Sequence, residues 1–169
     1  LKFPISSEEI VQHPLEEHPK LSQQSMLNIE HNFIPFIEAH PDTEFIFFFP
    51  PYSLLQWSNF YAQGLLHYNL MQKQAVIERL IAYNNVKLYD FQTQLHWILD
   101  PNHYVDAEHY GAHINDEMVR MIAADQCRII DPAQAKETAS ILIDYVNRLR
   151  SCGAWPDSFD SIPPIKGDH

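Results

Sequence analysis

A chain of 169 residues that is 46% hydrophobic and 12% aromatic carries enough apolar material for one packed domain and too much for a disordered segment. Its 22 acidic residues against 11 basic leave a formal charge of −11, which excludes nucleic-acid and anionic-membrane partners, since both need clustered Lys and Arg. No apolar run approaches the roughly 20 residues that cross a bilayer, and no signal peptide is visible.

Residues 1–20 are rich in Pro, Glu and His and read as irregular. From Leu21 to His40, apolar residues at Met26, Ile29, Phe33, Ile34 and Ile37 follow helical spacing, with Ser22 or Ser25 as the cap. Thr43–Phe49 is a continuous apolar run, which predicts a strand buried on both faces in a parallel sheet. Pro50-Pro51 ends it. Ser53 opens a long helical stretch to Asn84, either one helix or two with a break near Gly64. Val86–Phe91 is the next predicted strand, and residues 92–105 form a loop with room for a short helix. A helix follows to Asp125, starting at Ala107 or at Gly111. Cys127–Ile130 is a third short strand or an extended connection. Asp131-Pro132 starts a last helix to Arg150, with Asp as N-cap and Pro in the first turn.

Strands alternating with helices predict an α/β domain over residues 1–150, with residues 151–169 as an irregular tail. In such sheets chemistry gathers in loops at the carboxyl ends of the strands. Two loops qualify, Pro50-Pro51-Tyr52-Ser53 and the segment leading to Asp106 and His109. The spacing Asp106-x-x-His109 puts a carboxylate within reach of an imidazole, which is how a general base is oriented. The structural alternative has Asp106 capping a helix and His109 packing on its first turn. Ser53, between strand and helix, is either a nucleophile or the N-cap of the long helix, and Tyr52 beside it either a substrate contact or a packing residue. His103, His109 and His113, with Asp106 or Glu108, make a candidate zinc set in a chain of 10 histidines. Trp57 and Trp97 are candidates for stacking on sugar. Cys127 and Cys152 form one disulfide or remain two thiols; no C-x-x-C pair is present.

The segment Asn102–Asn115, with its order Tyr104-x-Asp106-x-x-His109-Tyr110 and then Ile114-Asn115, resembles the last sequence block of SGNH (GDSL-like) hydrolases, and in particular the bacterial SGNH-like proteins associated with cell-surface polysaccharides. Phe48-Phe49-Pro50-Pro51-Tyr52-Ser53 and Val86–Phe91 precede it in matching order, so the resemblance spans residues 28–130. It implies a three-layer α/β/α sandwich with a mainly parallel sheet, of which this chain is the later part. It also implies a Ser-His-Asp triad for ester hydrolysis or acyl transfer on an acylated surface glycan or similar ester, without cofactor or metal. Asp106 would orient the ring and His109 would be the base, with Ser53, Tyr52, Tyr110 and Asn115 as nucleophile, oxyanion or substrate contacts. The implied location is outside the cytoplasm, in the periplasm or cell envelope.

The family's Gly-Asp-Ser block is missing. The one Gly-Asp, Gly167-Asp168, is followed by His169, and the Gly-x-Asn-Asp block is absent from a chain with 4 glycines. The serine therefore stands on an upstream segment of the same protein or has been lost; a start at Leu1 favours the first, and the edge that a sheet without its first strands would expose favours the second. Two other functions fit: a non-catalytic binding or assembly module on the same scaffold, and a metal-dependent hydrolase at the histidine cluster.

Overall fold

The computed structural model describes residues 19–151. Its first helical stretch is α1 (Pro19–Asn28), a π-helical turn (Ile29–Phe33) and α2 (Ile34–Ala39). The π turn has a cause in Pro35. Proline has no N–H for the His31 carbonyl four residues back, and its ring crowds that carbonyl. The Ile34 amide reaches five residues back to Ile29 O, widening the helix by one residue.

Two parallel strands follow, β1 (Phe45–Phe49) and β2 (Val86–Asp90), with Phe45 opposite Val86 and Phe49 opposite Asp90. The connection between them is α3 (Leu54–Ala62) and α4 (Leu66–Leu80). The break falls at Gly64, whose φ of 72° lies in the left-handed region that glycine enters without cost. After β2 come α5 (Leu95–Ile98), a 3-10 turn (Pro101–His103), α6 (Ala112–Ala123), β3 (Arg128–Ile129) and α7 (Pro132–Ser151). Asp131 Oδ1 accepts from the Ala133 amide at 2.8 Å, and Gln134 Oε1 accepts from the Asp131 amide at 2.9 Å, a reciprocal cap around Pro132.

The fold is thus α/β around a small mixed open sheet of order β1-β2-β3. Three expectations need correction. β3 runs antiparallel to β2, with Leu88 opposite Ile129 and Tyr89 opposite Arg128. The reason is local: the turn after α6, through left-handed Asp125 and Cys127 (φ 54° and 60°), delivers the chain to the carboxyl end of β2, where Asp90 N bonds Cys127 O. β1 is an edge strand and is not buried on both faces. Phe45, Phe47 and Phe49 pack inward, while Ile46 and Phe48 remain 47% and 45% exposed. A continuous apolar run signals two covered faces only if a helix lies over each, and the apolar cluster that α6 forms with Tyr89 and Phe91 does not take in Ile46 or Phe48. Trp57 and Trp97 are core residues, 2% and 5% exposed, and offer no stacking surface.

Three apolar clusters hold these elements. Ile34, Ile37, Ile77, Leu80, Val86 and Leu88 fix α2 and α4 on one face of the sheet. Tyr89, Phe91, Trp97, Ile114 and Met118 fix α6 on the other. Leu54, Trp57, Leu70, Ile98, Leu142 and Val146 join α3, α4 and α5 to α7. Truncating one such residue, as in Ile77→Ala, costs about 2–5 kcal/mol through lost transfer energy and the cavity left. Among the described residues no helix is long and apolar enough to cross a membrane. Of the expected tail, only Ser151, the last residue of α7, falls within the described residues; the tail beyond it and Cys152 lie outside them.

Candidate active site

The two loops singled out by the sequence meet. The second is a narrow hairpin. Tyr104 and Tyr110 form an antiparallel bridge, His109 O accepts from Val105 N at 2.7 Å, and His103 O accepts from Gly111 N at 2.7 Å. Helix α6 begins only after this hairpin, with Gly111 as its N-cap. Asp106 and His109 therefore sit in the loop and not on a first helical turn.

At the hairpin tip, Asp106 Oδ1 accepts from the Glu108 and His109 amides, each at 2.8 Å. This is an Asx turn: a short carboxylate replaces the carbonyl that would otherwise close the loop. The same carboxylate meets the imidazole, with His109 Nδ1 at 2.7 Å from Oδ2 and 2.9 Å from Oδ1. The His109 amide first, then the Glu108 amide and the imidazole, hold the Asp106 carboxyl down at about 2. Asp106 is therefore an anion near neutrality, and a carboxylate at this distance accepts from an Nδ1–H. The Nε2 lone pair then points away from the carboxylate. The side chains are 74% and 51% exposed.

The first loop props this hairpin from below. Tyr104 Oη donates to Pro51 O at 2.8 Å. Ser53 Oγ donates to Ala107 O at 2.5 Å and accepts from Gln56 N at 3.2 Å, while Gln56 Nε2 donates to Glu108 Oε1 at 2.9 Å. Ser53 is fully buried. Its hydroxyl proton is directed at a carbonyl, not at His109, and its lone pair caps α3. The strand-turn-helix setting was legible in the sequence; the cap is what the geometry builds there.

Tyr52 packs edge-on against Trp57 and Phe60 at ring separations of 6.0 and 5.9 Å, and burial followed by the Glu108 charge raises its phenol. Burial, then Tyr52, raises the Tyr110 phenol as well. Both hydroxyls are neutral donors at working pH. Asn115 is exposed on α6, away from the hairpin tip in sequence. The three histidines divide: His109 goes to Asp106, while His103 Nδ1 and His113 Nε2 lie 2.8 Å apart. Among the described residues no group of three or more His, Cys, Asp or Glu side chains is set to hold a metal. Half-buried Cys127 accepts from Gln94 Nε2 at 3.1 Å, and burial raises its thiol.

One feature near the strand ends escaped the sequence reading. Lys73 Nζ donates to Asp90 Oδ2 at 2.6 Å and to Gln92 Oε1 at 3.0 Å, over the Phe49 ring. Both side chains of the ion pair are under a tenth exposed. A signal was available: Lys73 occupies the apolar stripe of α4, in step with Leu66, Leu70, Ile77 and Leu80. Comparison of the chain with protein-family models, with curated proteins and with solved structures finds no match.

Proposed function

We propose that this chain is the later part of an SGNH-like α/β/α domain that hydrolyses or transfers an acyl group on an acylated surface glycan or similar ester. In that reading His109 is the general base and Asp106 orients it. The serine nucleophile comes from a segment of the protein outside this chain, and the protein works in the periplasm or cell envelope. The observation that carries the reading is the carboxylate–imidazole pair at 2.7 Å, presented by a loop braced on the carboxyl end of a parallel strand pair. The place of β1 at the end of the described sheet supports it, since a larger domain would continue the sheet there. Tyr52 and Tyr110 would supply neutral hydrogen-bond donors beside the reacting ester.

The test is hydrolysis of para-nitrophenyl acetate by the chain and by His109→Ala and Asp106→Asn, across neutral pH. Here water replaces the absent serine as the group His109 activates. An oriented base is worth about 10²–10⁴ in rate, so both variants should lose at least an order of magnitude. Equal rates in all three would refute the assignment; loss in His109→Ala alone would mean an ordinary surface imidazole. A second reading, a binding or assembly module, is favoured by the burial of Ser53 and the solvent exposure of the pair. It predicts no His109-dependent turnover in any assembly of the protein.

A further inference from the structure

We propose that His103 and His113 form a proton-operated clasp across the neck of the hairpin that carries Asp106 and His109. The two residues flank the Tyr104–Tyr110 bridge, one on the 3-10 turn before it and one in the first turn of α6 after it. Their rings are 5.1 Å apart between centroids, at 42°, with Nδ1 of His103 and Nε2 of His113 at 2.8 Å.

The chemistry of two imidazoles sets the logic. A hydrogen bond between them needs one N–H and one lone pair, which the pair has with no added proton or with one. A second added proton turns both facing nitrogens into donors and brings two cations to contact distance. The clasp then has to open. The surroundings of His103 resist that second proton. His103 is partly buried, and the burial, with His113 and His96 nearby, holds its imidazole below the ordinary 6.5; Asp100, with Oδ2 at 3.9 Å from Nε2, works against them. His113 lies in the first turn of α6. Asp116 and Glu117 follow one turn on in α6, and Glu117 is engaged by Arg120. A histidine held below its ordinary value stabilises the fold above that value, and the contribution is lost as pH falls through the lowered one. The neck is therefore closed at neutral pH and opens on acidification.

Gly111 is part of the device. A Cβ there would sit 2.8 Å from His113 Cε1 and 2.9 Å from Nδ1, so a side chain would push the ring off its partner. Opening the clasp frees the Gly111–His103 and Val105–His109 backbone bonds. The Asp106–His109 contact is separate: the carboxylate stays ionised down to about 2, so acid loosens the neck while the pair at the tip stays charged. That the clasp regulates catalysis rests on His109 being the base; the clasp itself does not.

The test is amide hydrogen exchange by NMR on the whole chain, corrected for intrinsic rates, between about pH 7.5 and pH 5. In the native chain, protection of the Gly111 and Val105 amides should fall about tenfold on acidification, while Phe47 and Leu88 keep theirs. In His113→Gln, which keeps a hydrogen-bonding side chain but cannot titrate, the acid step should vanish. Flat protection in the native chain, or the same fall in the variant, overturns the clasp. Neither result depends on turnover, so loss of the catalytic reading and loss of the clasp are distinguishable.

Discussion

Two carboxylate–nitrogen contacts of nearly equal length stand at the same end of this molecule. Lys73–Asp90 spans 2.6 Å and is sealed under Phe49; His109–Asp106 spans 2.7 Å and faces solvent. The difference teaches that distance alone does not say what a pair is for. In the sealed pair each charge has lost its water and depends on its partner and on Gln92, so the contact belongs to stability. In the open pair water screens the carboxylate and the contact adds little to folding, while it fixes a proton on one nitrogen and leaves the other bare.

The largest effect expected follows from breaking the sealed pair. Lys73→Ala leaves Asp90 charged and buried, and should cost about 3–5 kcal/mol in urea denaturation. Replacing both partners with apolar residues of similar volume should recover most of that loss, because no charge is then stranded. A smaller loss is expected at Ser53→Ala, which removes an N-cap and the bond to Ala107: about 1–2 kcal/mol. The same variant should keep its His109-dependent esterase rate; a rate that vanished with the hydroxyl would make Ser53 the nucleophile after all. The smallest change is expected at the open pair. His109→Ala should leave the denaturation midpoint in place while removing turnover. Acid sharpens the same contrast. Asp106 is held below its ordinary 3.8 in the folded chain, so its contribution is complete above that value and fades as pH falls towards about 2. A carboxyl titration of Asp106 followed by NMR should show that low midpoint, and Asp106→Glu, too long for the Asx turn, should lose it.

Much of this was legible in the residues. Gly64 was the candidate position for a helix break, Asp131-Pro132 marked the start of α7, and Asp106-x-x-His109 put a carboxylate within reach of an imidazole. What stayed hidden depends on tertiary placement. The apolar run at β1 names a strand but not whether helices cover both of its faces. The direction of β3 is set by a turn through two left-handed non-glycine residues, which no local propensity announces. Ser53 has the same residue type and setting whether it caps or attacks; only the position of Ala107 O decides where its proton goes. The histidines share one short segment of sequence, and the hairpin is what sends one to Asp106 and joins the other two.

The central claim is that Asp106 holds the proton on Nδ1 of His109 and leaves Nε2 free to act as a base. The most direct measurement is the ring nitrogen spectrum of His109 near neutral pH, by long-range proton–nitrogen NMR, in the native chain and in Asp106→Asn. The account predicts a protonated Nδ1 and a bare Nε2 in the native chain, with that preference lost in the variant. A native His109 with its proton mainly on Nε2, or a ring unaffected by the substitution, would contradict it.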